Sequence, residues 1–332
     1  MKKQSQKRIL MFCAPFFGYD KRLVVALEEL GFQVDLYDEK PGDGFFHKAC
    51  IRYNIGFYRP VIHKYIKRII EKNREKRYDY LLVVKGEGIT VDAIRLLREA
   101  YPNAKSILYL WDSIANIPEC ETRMACYDRV MTFDPQDAER YNIPCLPVPY
   151  GKEHAEYRDT GEYEYDVAFI GTAHSVRPRV VNQIRHICEQ KGKKCFVYFY
   201  CPHIVVYLLN KLTNRDFRWI KLKDVHFKPL SPKKVCEIYG SSRCILDVEH
   251  PRQQGTTTRP VEMLPMKKKI ITTNPLVRKY PFFHSNNFLI IDRQEPQLDF
   301  SFLETPFIPV NEELMALYSP KNFVQKLIGL CD

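Results

Sequence analysis

Residues 244–274 read CILDVEHPRQQGTTTRPVEMLPMKKKIITTN, and their order decides the fold. The apolar run 244–248 has strand character, and 269–273 repeats it. Between them, Gln254-Gly255-Thr256-Thr257-Thr258-Arg259-Pro260-Val261-Glu262 forms a polar loop that turns into a helix. Pro260 suits a first helical turn, where its missing N–H costs nothing, and the threonines before it supply hydroxyl caps. A strand, a helix and a second strand in about thirty residues make the unit from which parallel sheets are built.

The same alternation extends in both directions. Upstream, strands are expected at 167–170 and 195–200, with helices at 179–190 and 233–239; downstream, a strand at 287–292 follows. The first half repeats the pattern, with strands at 8–14, 33–37, 80–85, 106–111 and 129–133 and helices at 21–30, 62–77 and 92–100. Pro147, Pro149 and Gly151, followed by a polar and acidic stretch, interrupt it. The expected organisation is therefore an α/β chain of two Rossmann-like doubly wound domains facing a cleft. The first covers residues 1–150, a linker 151–165, the second 166–318, and a closing helix 319–332 returns to the body. Ligands of such sheets bind beyond the carboxyl ends of the strands, which directs attention to the post-strand loops.

A length of 332 residues suits two domains, and 45% hydrophobic residues suit packed cores. The charged first eight residues lead into an apolar run that is broken at Pro15 and reads as a strand, not a signal peptide. The longest candidate apolar run, 204–209, is far too short to span a bilayer. A cytoplasmic chain is the expectation. Its eleven cysteines are odd in number and irregular in spacing, which fits reduced thiols better than disulfides. No metal-ligand spacing accompanies them. Asp35-Leu36-Tyr37-Asp38 also lacks the Asp-x-Asp pattern of a divalent-ion site, so a metal-independent reaction without a cofactor is expected.

The formal charge of +11 is compatible with nucleic acid, anionic lipid or phosphorylated ligands. No nucleic-acid module accompanies it, and no nucleic acid is expected as partner. In the basic stretch 62–77, Ile66, Ile69 and Ile70 recur at helical spacing. That pattern gives either a solvated helix face or a surface docked on the anionic inner face of the plasma membrane.

The loop before Pro260 offers a helix N-terminus, where unpaired amides and the helix dipole favour an anion. Gly255 permits close backbone approach, Arg259 offers a charge-assisted bond, and Glu262 stands one turn into the helix, placed for a ribose diol. The alternative is an ordinary capped helix with a glutamate near its positive end.

The stretch resembles the C-terminal motif of GT-B glycosyltransferases, in particular the CgeB-like, glycosyltransferase-family-1-like group. There a strand leads into Gln-Gly-x-Thr-x-Arg-x-x-Glu and then into a strand ending in Thr-Asn. The resemblance reaches back through His226-Phe227-Lys228-Pro229-Leu230-Ser231 to Asp166-Val167-Ala168-Phe169-Ile170-Gly171-Thr172, while the first half matches in architecture alone. It implies that Gln254, Gly255, Thr256, Thr257, Thr258 and Arg259 bind a donor diphosphate and Glu262 the ribose. His226 and Lys228 would face the nucleobase, and Gly171, Thr172, His174 and Arg177 would approach the phosphates.

In the first half, Phe16, Phe17 and Tyr19 shape either an acceptor pocket or an aromatic packing turn. Lys85 stands beside them on the acceptor side. Asp112 and Glu87, at strand ends, are the candidate general bases. The resulting expectation is sugar transfer from a nucleotide-sugar donor to a hydroxyl of a glycan or lipid-linked acceptor in cell-surface polysaccharide or glycolipid synthesis. Two alternatives are an NAD(P)-dependent oxidoreductase, weakened by the lack of G-x-G-x-x-G after any strand, and a non-catalytic nucleotide- or nucleic-acid-binding module.

Overall fold

The structure is a computed structural model that describes residues 6–15, 18–42, 47, 50–51, 56–251 and 255–330. The chain divides into two compact units, residues 1–148 with 319–332, and residues 149–318.

Among the described residues, the first unit holds five strands: β1 Arg8–Cys13, β2 Gln33–Tyr37, β3 Tyr80–Val84, β4 Lys105–Leu110 and β5 Arg129–Thr132. They lie in the order β2-β1-β3-β4-β5, every pair parallel. Strand alternation divides β1 between two cores. Leu10 and Phe12 join one apolar layer, and Ile9, Met11 and Cys13 join the other. Both faces of the sheet are thus covered, as a parallel sheet requires.

The basic stretch forms the helix Arg59–Lys72, with Pro60 in its first turn. Ile62, Ile66 and Ile69 are buried on the sheet. Its apolar stripe is therefore spent on the protein's own core, and its charged side chains form the outward face. The last helix, Pro320–Leu327, is capped by Ser319 Oγ, which accepts from the Asn322 N–H at 3.2 Å. It buries Phe323, Val324 and Leu327 in the first unit, with Phe323 edge-on to Tyr109.

The second unit carries β6 Tyr165–Thr172, β7 Cys195–Tyr200, β8 Val225–His226, β9 Ser242–Asp247, β10 Lys269–Thr272 and β11 Phe288–Ile290, ordered β11-β10-β9-β6-β7-β8 and parallel throughout. Counted within the unit this is the 3-2-1-4-5-6 order of dinucleotide-binding sheets, whose direction of winding reverses between β6 and β9. The two-residue strand β8 has no sequence signal of its own. It pairs with the end of β7 and carries His226.

Residues 151–165, expected as a linker, belong to the second unit. They include the short helix Lys152–Glu156 with His154 buried, and Tyr157 packs so closely on Gly240 that a Cβ there would lie 2.2 Å from the phenol oxygen. Polar composition suggested a connector, but Tyr157 within the stretch and Tyr150 just before it pack on the second core. No helix among the described residues is long and apolar enough to cross a membrane.

Candidate functional site

In the second unit the ladder between β6 and β9 stops at Ala168 and Ile245, yet both strands run on, to Thr172 and Asp247. Beyond that point the strands are joined by arginines. Arg259 donates from Nη2 to the Ile170 carbonyl at 2.6 Å and from Nη1 to Asp247 Oδ1 at 2.7 Å, while its Nε reaches the Tyr239 hydroxyl at 3.1 Å. Further out, by two residues on β6 and one after β9, Arg177 donates from Nε to the Val248 carbonyl and from Nη1 to the Thr172 carbonyl at 3.2 Å. Two guanidinium groups therefore occupy the split at the winding reversal, where ligands of this architecture bind.

Their charge is balanced by Asp247, 1% exposed, and Glu249, 2% exposed. Burial lowers Arg177 to about 10, and the neighbouring Arg259 cation adds to the shift. For Arg259 burial works the same way, but Tyr239 and Asp247 outweigh it and raise the group. Glu249 is raised by burial and by Asp247; it accepts from Thr273 Oγ1 at 2.8 Å and pairs with Arg293.

The loop into the helix Thr258–Met266 is fixed by the same acid. Thr257 Oγ1 donates to Asp247 at 3.0 Å, so this hydroxyl makes no cap to the helix it precedes. The Thr256 N–H is taken by the Tyr280 hydroxyl at 3.1 Å, and the Gly255 carbonyl accepts from Asn274 Nδ2 at 3.5 Å. Gly255 and Thr256 are buried, whereas Thr257, Thr258 and Arg259 are half-buried at the helix N-terminus. Glu262 is half-buried one turn on, close enough to Tyr239 for its charge to raise the phenol. Gln254 lies outside the described residues.

The turn after β6 is tight. A Cβ on Gly171, near the end of β6, would stand 2.8 Å from the Phe169 ring and force it to shift, and in the turn that follows Ser175 adopts φ 44°, an unusual value for a residue other than glycine. His174 accepts or donates at Nδ1 to Ser175 Oγ at 3.0 Å and faces His250 with ring centroids 5.5 Å apart. Burial, then Arg177 and His250, lower His174 to about 3. It is a neutral hydrogen-bonding group at physiological pH. His226 stacks flat on Tyr198, centroids 3.8 Å apart and planes 5° from parallel. Tyr198 in turn donates to the Lys228 carbonyl at 2.5 Å, and the Lys228 side chain is exposed.

The first unit carries a separate charged cluster at the carboxyl ends of β2, β3 and β4. Lys85 and Gly86 have φ 79° and 75°, a left-handed pair that turns the chain sharply after β3. Buried Arg123 holds this turn, donating to the carbonyls of Gly86 and Glu87 at 2.8 Å. Glu87, 5% exposed, pairs with Lys85 at 3.0 Å and Lys40 at 3.3 Å. Burial would raise its carboxyl, but the two ammonium groups outweigh burial and hold it below the usual range. Glu39 is fully buried beside it, and among the described residues no group meets hydrogen-bond geometry with its carboxyl oxygens, although the Gly88 amide lies near enough to pull its pKa down. Burial raises Glu39 to about 7 against the pull of Lys40 and Lys85.

Asp112 is half-buried, and its Oδ1 accepts from the Ser113 N–H and Asn116 Nδ2, both at 3.0 Å. Tyr19 is 3% exposed, its ring edge-on to Trp111 at 4.8 Å and covered by Arg22. Its ring is packed among these side chains. Phe16 and Phe17 lie outside the described residues.

No protein-family model matches this sequence, and no curated protein matches it significantly. Solved structures do match its fold. Sucrose-phosphate synthase of Thermosynechococcus elongatus superposes with TM-score 0.62 over 98% of both chains at 11% identity. Anabaena HepE, solved with UDP and glucose, gives 0.61 over 98% of this chain and 99% of its own at 10% identity. A glycosyltransferase of Rickettsia africae gives 0.57 over 98% of both at 10% identity. The fold is GT-B. At such identities the likeness carries architecture and nothing finer.

Within this GT-B chain, the structure brings together Gly171, Thr172, His174, Arg177, Thr257, Arg259 and their loop at the carboxyl end of the two central strands. Sequence reasoning missed Asp247, Tyr239 and Glu249, which orient the two arginines. A carboxylate ending the strand just before the loop was the available signal for Asp247.

Proposed function

We propose that this protein transfers a sugar from a nucleoside-diphosphate donor to a hydroxyl acceptor, without a metal ion. The observation that carries this reading is the pair Arg177 and Arg259 at the β6/β9 split, next to the amino end of the helix Thr258–Met266. A departing diphosphate develops negative charge, and fixed cations with helix amides stabilise it without reorganising. Arg259 uses Nε, Nη1 and Nη2 within the protein, so its part is to set the local field and hold the loop. Arg177, with bonds at Nε and Nη1 among the described residues, is the better direct donor. Glu262 would take the ribose hydroxyls, and Gln254 and Gly255 would line the phosphates. The Tyr198–His226 stack offers a flat surface to a nucleobase.

An acceptor hydroxyl must lose its proton, and Asp112 is the preferred base, because Glu87 is ionised but sealed between two lysines. β6 carries Gly171 near its end and no glycine follows in residues 172–178, where a dinucleotide-binding turn carries three glycines, which disfavours an NAD(P) oxidoreductase. A glycan or lipid-linked hydroxyl in surface polysaccharide synthesis is the acceptor class proposed. The test is incubation with a panel of nucleotide-sugars and mixed acceptors, with and without chelator. Release of nucleoside diphosphate that needs acceptor and survives chelation supports the reading. Oxidation of an acceptor with NAD(P), or release only with added divalent ion, overturns it or its metal-independent part respectively.

A further inference from the structure

The helix Ile204–Thr213 is amphipathic in the wrong sense for a helix packed on a globular protein. Its polar Lys211 points inward, where Nζ donates to the carbonyls of Phe217, Arg218 and Ile220 at 3.1, 3.2 and 2.9 Å. Tyr207 is its one buried residue. Ile204, Val205, Leu208, Leu209 and Leu212 are turned to solvent, with 40, 51, 52, 55 and 81% of their surface exposed. An ordinary surface helix shows the reverse pattern. Trp219, 48% exposed, and Leu222, 64% exposed, are further apolar residues turned to solvent in the turns that follow the helix.

The rim of this face is basic. Between residues 204 and 234 the chain has eight Lys and Arg and two acidic residues. Both acids are spent internally: Asp216 pairs with Arg179 and Asp224 with Arg185. Arg215, Arg218, Lys221 and Lys223 are all exposed. An apolar stripe with an exposed tryptophan after it and a cationic border matches the chemistry of an anionic bilayer surface, with acyl chains for the leucines and headgroup phosphates for the cations. A protein partner fits less well, because lysine is depleted at protein interfaces.

We propose that this face, the outer side of the helix Ile204–Thr213 with the turns through Lys223, docks the protein on anionic phospholipid. The surface acts whether or not the chain transfers sugar, since it shares no residue with the arginine site. It also differs from the basic helix Arg59–Lys72, whose isoleucines are used by the core.

The experiment is co-sedimentation of the full chain with phosphatidylcholine vesicles, with and without about 30% phosphatidylserine. Wild type should bind the anionic vesicles alone, and high salt should weaken it. Lys221→Gln with Lys223→Gln should weaken binding about 25-fold, about fivefold per charge. Leu208→Ser with Leu212→Ser should abolish it, and Lys64→Gln with Arg68→Gln should leave it unchanged. Circular dichroism confirms that each variant is folded. Equal binding to neutral vesicles, no binding to either, or unchanged binding by the Lys221/Lys223 pair overturns the proposal. A wild-type dimer that the leucine variant converts to monomer, seen by ultracentrifugation without vesicle binding, overturns it in favour of a second copy.

Discussion

Replacing Glu39 by Gln should remove a specific pH dependence from the stability of the first unit. Glu39 is fully buried, and burial raises it to about 7 against a usual 4.5. Folded-state pKa above unfolded-state pKa means the folded unit holds the proton more tightly. The contribution is complete below about 4.5 and is lost as pH rises through about 7. About 2.5 pKa units correspond to about 3 kcal/mol between pH 5 and pH 8. Gln is similar in shape and does not titrate; its own buried amide adds an offset that is constant with pH. The variant should therefore gain on wild type by about 3 kcal/mol over that interval, whatever their difference at pH 5. Trp111 packs against Tyr19, Tyr109 and Phe323 in the first unit, so urea unfolding followed by fluorescence in a Trp219→Phe background reports that unit. An offset that is the same at both pH values would refute the reasoning and place the proton elsewhere among Glu39, Glu87, Lys40 and Lys85.

Other substitutions test other parts of the account. Asp247→Ala strips Arg259 and Thr257 of their shared acceptor and leaves a largely buried guanidinium short of a counter-charge; a loss of about 3 kcal/mol in denaturant unfolding is expected. Gly86→Ala puts a side chain at φ 75° and 2.7 Å from Leu108 Cδ1, and should cost about 1–3 kcal/mol in the same measurement. Because His174 is held near 3, the pH profile of nucleotide affinity between about pH 5.5 and 8, measured by calorimetry, should have the same shape in wild type and in His174→Gln. A His174-dependent inflection near pH 6.5 would contradict the burial of that ring.

Most of the sheet was legible because a buried parallel strand leaves an apolar run that short loops bracket. Residues 8–13, 80–84 and 244–247 carry that mark. The edge strand at Val225 and His226 did not, since two residues set no pattern and pairing with β7 alone makes them a strand. The stretch 151–165 misled through its acidic composition, because its anchoring rests on Tyr157 and on Tyr150 just before it, side chains whose contacts come from distant elements. At the candidate site, the residue types and the carboxyl end of the sheet were legible, but the direction of Arg259 was not. Asp247 stands twelve residues before Arg259, Tyr239 twenty before it and Ile170 eighty-nine, and the order of strands brings them together. The outward leucines of the helix Ile204–Thr213 were hidden for the same reason: a short apolar run reads as buried until Lys211 is seen facing inward.

The central claim is that the split between β6 and β9 holds a nucleoside diphosphate. Calorimetric titration of wild type and Arg177→Gln with UDP, GDP, ADP and NAD tests it most directly. At least one nucleoside diphosphate should bind saturably, NAD should not compete, and the substitution should weaken binding at least about tenfold, the loss of one charge-assisted hydrogen bond, while the protein stays folded. Binding of NAD alone, or nucleotide affinity untouched in a folded Arg177→Gln, would contradict the assignment.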